Sequence, residues 1–142
     1  MTKFSGNDTH HMPHARLDRP RHIQLSPEPA VARRQLERAL SDDWAGDLPD
    51  VLLAVSEALV NAQRHAGGAR RAEAWVNGSS IVVHVCDRGQ AFDPTPYTET
   101  PPDVMSERGR GLWLISQLAA ACQVDREEDG GRLVLRFDLG QN

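Results

Sequence analysis

Glu57, Asn61 and His65 recur every four residues in the stretch SEALVNAQRHA (56–66). On a helix that spacing stacks them into one polar stripe, beside the apolar positions Leu52, Val55, Leu59 and Ala62. Such a stripe is either a solvated helix face or the lining of a cleft. In a cleft, the neutral oxygen of Asn61 suits a hard cation such as Mg²⁺. Glu57, one turn earlier, could orient or deprotonate a nucleophile. A second candidate is Asp87-Arg88-Gly89, where an apolar run stops abruptly. A carboxylate at a strand end is common turn chemistry, yet it also accepts from an exocyclic amino group such as that of adenine. Gly89 would let a flat ring approach the backbone. The third is Arg108-Gly109-Arg110-Gly111-Leu112. Glycines at a helix start leave backbone N–H groups facing an anion, and the helix dipole adds partial positive charge. No Gly-Lys-Ser or Gly-Lys-Thr follows, so this is not a Walker loop, and it does not follow a strand as a dinucleotide-binding loop would.

These residues need elements to hold them. Residues 22–25 read as a short strand, and Ser26-Pro27 as an N-cap with proline at the first helical position. That helix is expected to run to about residue 41, with Val31, Leu36 and Leu40 in the core. A second helix over residues 48–66 carries the polar stripe, with Asp50 as a candidate cap and Gly67-Gly68 as its stop. Ala72, Ala74 and Val76 alternate with Glu73 and Trp75, and Asn77-Gly78 predicts a hairpin into a strand over residues 80–86. Residues 90–108 hold Pro94, Pro96, Pro101 and Pro102 without any periodicity, a long loop of the kind that often serves function. A third helix is expected over residues 112–121, opened by the glycine-arginine motif. A last hairpin is expected around Asp129-Gly130-Gly131, with Leu133, Leu135, Phe137 and Leu139 alternating along its second arm. Paired strands with grouped helices fit an α+β sandwich better than a doubly wound parallel sheet.

Composition narrows the function classes. The 142 residues are the size of one domain, 39% hydrophobic and 25% charged. A formal net charge of -4 gives no footprint for direct nucleic-acid contact or for an anionic membrane. No apolar run reaches the roughly 20 residues of a membrane span, and no apolar leader follows the N-terminal charges, so a cytoplasmic location is expected. Cys86 and Cys122 sit in apolar segments without a CxxC pair and read as reduced packing residues. Residues 1–21, with His10, His11 and His14, lack periodicity and are expected to be a flexible tail before a single domain over residues 22–142.

Taken together, the three motifs resemble the GHKL ATPases, which share the Bergerat ATP-binding fold. Within that superfamily the chain looks most like the bacterial anti-sigma-factor serine/threonine kinases of the RsbW/SpoIIAB type. The resemblance covers residues 22–139, with the N box as SEALVNAQRHA, the first glycine box as DRGQAFDP and the second as RGRGLWLIS. It implies a two-layer α/β sandwich with a mixed, mostly antiparallel sheet and helices on one face. It also implies ATP and Mg²⁺ as cofactors. By resemblance Glu57 is the catalytic base or water-positioning acid and Asn61 the Mg²⁺ ligand. Asp87 accepts from the adenine amino group, with Gly89 beside the ring and Phe92 in the same box. Arg108, Gly109, Arg110, Gly111 and Leu112 belong to the phosphate end, where residues 95–108 form a lid that orders with ATP. His65 is expected near the phosphates or beneath the lid. The sequence departs from the family pattern at Ala91, where another glycine is common, and at Arg132, which follows the glycine turn where a threonine often stands.

The resemblance also implies partners, namely a sigma factor and an anti-sigma factor antagonist, and a homodimer, since relatives commonly dimerise. Three other readings compete with the kinase. They are a regulatory module that binds ATP without transferring phosphate, a stand-alone histidine kinase-like catalytic domain, and an interaction domain without ligand.

Overall fold

The architecture comes from a computed structural model, which describes residues 20–40, 48–77, 79–89, 93–99 and 107–138. Phe92, Leu139, nearly all of the N-terminal segment and much of the Pro-rich segment lie outside these residues. The elements run β1 (Arg21–Leu25), α1 (Pro29–Leu40), α2 (Leu48–Ala66), β2 (Ala69–Asn77) and β3 (Ser80–Asp87). They continue with α3 (Thr95–Thr98), α4 (Glu107–Leu118), β4 (Ala121–Glu127) and β5 (Gly130–Asp138).

The five strands form one sheet in the order β1-β2-β3-β5-β4, and all four pairings are antiparallel. Among the described residues the mostly antiparallel sheet expected from the motifs is antiparallel throughout. Two successive helices, rather than one, connect β1 to β2; each reverses the chain, so β2 returns against β1. The other neighbours along the chain, β2–β3 and β4–β5, are hairpins and antiparallel by construction.

Alternation sets the two faces of the sheet. Ala72, Ala74 and Val76 of β2, Ile81, Val83 and Val85 of β3, and Leu135 and Phe137 of β5 are buried. They form one core cluster with Ala32, Leu36 and Leu40 of α1, the apolar face of α2, and Leu112 and Ile115 of α4. Fully burying each large aliphatic side chain of this cluster contributes on the order of 1.5–3 kcal/mol. The opposite face carries Glu73, Trp75, His84 and Arg132, and Trp75 stands between His22 and His84, with ring centroids 5.2 and 4.5 Å away.

Helix ends differ from expectation for local reasons. Proline at the first position of α1 is Pro29, not Pro27, because a residue before proline is pushed out of the helical region. Glu28 is that residue, and its carbonyl accepts the first helical bond from the Ala32 N–H at 2.9 Å. The buried face of α1 then starts at Ala32, with Val31 only half-buried. Asp50 lies in the first turn of α2 rather than ahead of it, where its charge still favours the helix dipole. α2 ends at a glycine pair; Gly67 has φ +74° and the Gly68 N–H turns back to the Ala62 carbonyl at 2.9 Å. α4 begins at Glu107, five residues earlier than expected, and ends at Leu118, so β4 starts at Ala121. A short helix, α3, occupies residues 95–98 of the segment expected to be irregular. Among the described residues no helix is long and apolar enough to cross a membrane.

His84 gives the outer face of the sheet a pH dependence. Burial lowers its proton affinity below the ordinary histidine value of 6.5, and Arg132 acts in the same direction against the opposing pull of Glu73, Glu127 and Asp125. The unfolded chain therefore takes up this proton more readily than the native one, and stability falls as pH drops through about 6.5. Thermal unfolding between pH 7.5 and 5.5 should show a smaller acid-induced fall in Tm for His84→Gln than for the wild type. Parallel Tm curves would remove His84 as a contributor.

Candidate functional site

α2 is the element that gathers the motifs. Its apolar face, Val51, Leu52, Ala54, Val55, Ala58, Leu59 and Ala62, is buried. Glu57, Asn61 and His65 stand half-buried along its margin. The stripe is thus neither sealed in the core nor fully solvated.

The second glycine box meets this stripe directly. A Cβ at Gly111 would lie 3.7 Å from Glu57 Oε1 and 3.8 Å from Asn61 Oδ1, so both side-chain oxygens turn toward a residue without a side chain. The box lies inside α4 rather than ahead of it, which revises its chemistry. Only residues up to Gly109 fall among first-turn amides that lack an intrahelical acceptor. Gly111 lies beyond them, and its contribution is close approach rather than a free amide. Arg110 is exposed, and Leu112 is fully buried in the core. The Arg108 side chain lies outside the described structure.

The first glycine box meets the other end of the same stripe. The Asp87 Oδ1 accepts from the Gly89 N–H at 2.8 Å, which folds the strand end into a tight turn and fixes the carboxylate. Its other oxygen has no partner among the described residues. A Cβ at Gly89 would lie 3.0 Å from Ala66 Cβ and 3.2 Å from Asp87 Oδ1, so the turn packs closely on the residue after His65. Glu57 and Ala66 are nine residues apart, about 13 Å along the helix axis. Asn61 is five residues from Ala66, so one helix presents two oxygens to the second glycine box and, about 8 to 13 Å along its axis, seats the turn that carries Asp87.

The β4–β5 turn walls the Asp87 end. Gly130 has φ +151°, and a Cβ there would overlap the Asp87 carbonyl oxygen and lie 2.7 Å from Arg88 Cα. A cleft of about 450 Å³ opens beside this contact, lined by Arg88, Gly89, Arg126, Glu127 and Asp129 among others. It reaches Gly89 but not Glu57 or Asn61, so it marks the Asp87 end alone. Arg132, at the position after the glycine turn, points to the sheet face opposite the helices. It pairs with Cys86 in register, and its guanidinium donates to Asp125 and Glu127. The residue paired with Asp87 is Gly131.

Thiol chemistry has no foothold here. Burial pushes the Cys86 thiol up despite the nearby Arg71, and burial pushes Cys122 up to about 11, so both stay protonated near neutral pH. Both are free, Cys86 buried and Cys122 only partly so.

Residues 13–137 match the histidine kinase-like ATPase domain. The chain belongs to that family. Curated proteins give no significant match. Membership makes this histidine kinase-like ATPase domain an ATP-binding protein, with the five-stranded sheet and one-sided helices of the GHKL type. The residues fit such a ligand. Asp87 offers a fixed acceptor at one end, its second oxygen without a partner among the described residues, and Glu57 and Asn61 offer oxygens at the other. Among the described residues no group of three His, Cys, Asp or Glu side chains could hold a metal by itself. Sequence reasoning missed Ala66 as the seat of Gly89 and Gly130 as the buttress of Asp87. Gly130 carried a signal, but only as a hairpin turn.

Proposed function

We propose that this histidine kinase-like ATPase domain is a Mg-ATP-dependent protein serine/threonine kinase of the anti-sigma class. The observation that carries the nucleotide part is the pair of glycine contacts on α2. Gly111 lies against Glu57 and Asn61 while Gly89 lies against Ala66, about 8 to 13 Å farther along the same helix. Asp87 would accept from the adenine amino group, with Gly89 beside the ring. Asn61 would offer its amide oxygen to Mg²⁺, which favours one or two protein oxygens plus phosphates over a closed protein cage. Arg108, Gly109 and Arg110 would meet the phosphates, with His65 nearby. When bound, Mg-ATP supplies the phosphoryl group. Glu57 would take the proton from the attacking serine or threonine hydroxyl. A sigma factor and an anti-sigma factor antagonist are the partners, and the antagonist is the phosphoacceptor. This last step is supported only by the motifs' likeness to anti-sigma kinases, since a fold does not fix a function.

The test joins calorimetric titration with ATP, with and without Mg²⁺, to a phosphotransfer assay on a candidate antagonist. The wild type should bind ATP in a Mg²⁺-dependent manner and transfer phosphate. Glu57→Ala should keep its ATP affinity and lose transfer by about 100-fold or more. A fully active Glu57→Ala would end its assigned role. ATP binding without transfer to any serine or threonine would leave a regulatory module.

A further inference from the structure

Glu127 is the last residue of β4, on the sheet face opposite the helices, and its side chain is 15% exposed. Three guanidiniums converge on its carboxylate. Arg70 Nη2 donates to Oε1, while Arg71 Nη2 and Arg132 Nη1 donate to Oε2 at 3.4 and 3.3 Å. Arg132 also donates to Asp125 at 3.1 Å, and Arg71 to Glu73 at 3.1 Å. The Nε groups of Arg70 and Arg132 are buried without a partner among the described residues, so these cations depend heavily on their remaining acceptors. For Arg70, the one acceptor among the described residues is Glu127.

The placement of these partners matters more than their number. Asp87 ends β3, flanked by the start of β2, where it pairs with Ala69, and by the start of β5, where it pairs with Gly131. Arg70 and Arg71 follow Ala69 at an irregularity in the β2 register, and Arg132 follows Gly131. Glu127 thus ties together the two strands that flank Asp87. Gly130, its cross-strand neighbour, carries no side chain to block that reach. The same hairpin turn presses the Gly130 backbone onto Asp87 and Arg88.

We propose that Glu127 is a positioning residue for base recognition: its carboxylate staples the β4–β5 turn to the start of β2 and thereby fixes the Asp87–Gly89 turn. The proposal rests on the nucleotide reading of the site. Removing the carboxylate leaves three like charges facing one another beneath Asp87, and their repulsion loosens the two strands that hold it.

The experiment uses the full chain and measures Kd for ATP and for GTP, well below each variant's Tm, in the wild type, Glu127→Ala and Glu127→Gln. A fixed carboxylate favours the amino group of adenine over the carbonyl oxygen that guanine presents at the same ring position. The wild type should therefore prefer ATP. Glu127→Ala should weaken ATP by about tenfold while leaving GTP nearly unchanged, so the preference collapses. Glu127→Gln, which keeps one acceptor oxygen, should fall between them. A merely structural loss would lower the Tm and leave the ATP-to-GTP ratio intact, and that result would overturn the proposal. Should Glu127→Ala fail to fold, the ratio in Glu127→Gln decides in the same way. A wild type that binds no ATP would instead overturn the nucleotide reading, and the role of Glu127 with it.

Discussion

Asp87→Asn is expected to weaken ATP binding by roughly 10- to 100-fold, the loss that follows when a charged acceptor is removed from a recognition site. The substitution is nearly isosteric. Its amide oxygen can still accept from the Gly89 N–H, now met by Asp87 Oδ1 at 2.8 Å, so the turn and its packing on Ala66 are retained. What changes is the second position of the side chain, where an NH2 donor replaces the carboxylate oxygen that has no partner among the described residues. On the proposed reading a donor then faces the donor of the base, and the negative charge is gone. Titration of ATP into wild type and variant, with unfolding curves to establish that both are folded, measures the effect directly. Equal affinities in two folded proteins would remove Asp87 from the site.

Gly130→Ala should be strongly destabilising, more so than alanine at Gly89 or Gly111. The new Cβ would overlap the Asp87 carbonyl oxygen and lie 2.7 Å from Arg88 Cα, and both obstacles are backbone, which cannot swing aside. The φ of +151° adds a conformation that side chains rarely adopt. The β4–β5 turn must then lift off the end of β3. A destabilisation of about 3 kcal/mol, or a Tm lower by roughly 10 °C, is expected. Gly111→Ala is the matched control. Its Cβ would make ordinary contacts at 3.7 and 3.8 Å in a helix interior, where alanine is favoured over glycine by about 0.5–1 kcal/mol. Its Tm should hold or rise slightly. If the two variants unfold alike, the Gly130 contact is not a constraint on the fold.

The cleft beside Gly130 and the Glu127 cluster lie at the same end of the sheet as Asp87. Variants at Gly130 and Glu127 thus perturb one turn by two different means. Gly130→Ala acts by steric displacement and should be insensitive to salt. The Glu127 effect is electrostatic between partly buried groups and should be screened only in part.

Local sequence determined most of the elements and the chemical inventory. Alternation of Ala72, Ala74 and Val76 with Glu73 and Trp75 fixed which face of β2 is buried, because successive strand side chains point to opposite sides. The four-residue spacing of Glu57, Asn61 and His65 fixed a polar stripe on α2, because that is the repeat of a helix face. The Gly67-Gly68 stop followed from the freedom of glycine at positive φ. Helix starts were less legible. Pro29 rather than Pro27 opens α1, and α4 reaches back to Glu107 across Gly109 and Gly111, residues that disfavour helix on propensity alone. Packing against α2 outweighs that propensity, since Gly111 is where the two helices approach over Glu57 and Asn61. The tertiary structure alone decided what meets what. It set Gly89 on Ala66, Gly130 on Asp87, and Glu127 among Arg70, Arg71 and Arg132. Those partners are 5 to 57 residues apart in the chain, beyond the reach of any helical or strand repeat. Their meeting depends on β5 entering the sheet between β3 and β4, a choice made by the burial of Leu135 and Phe137 against the helices.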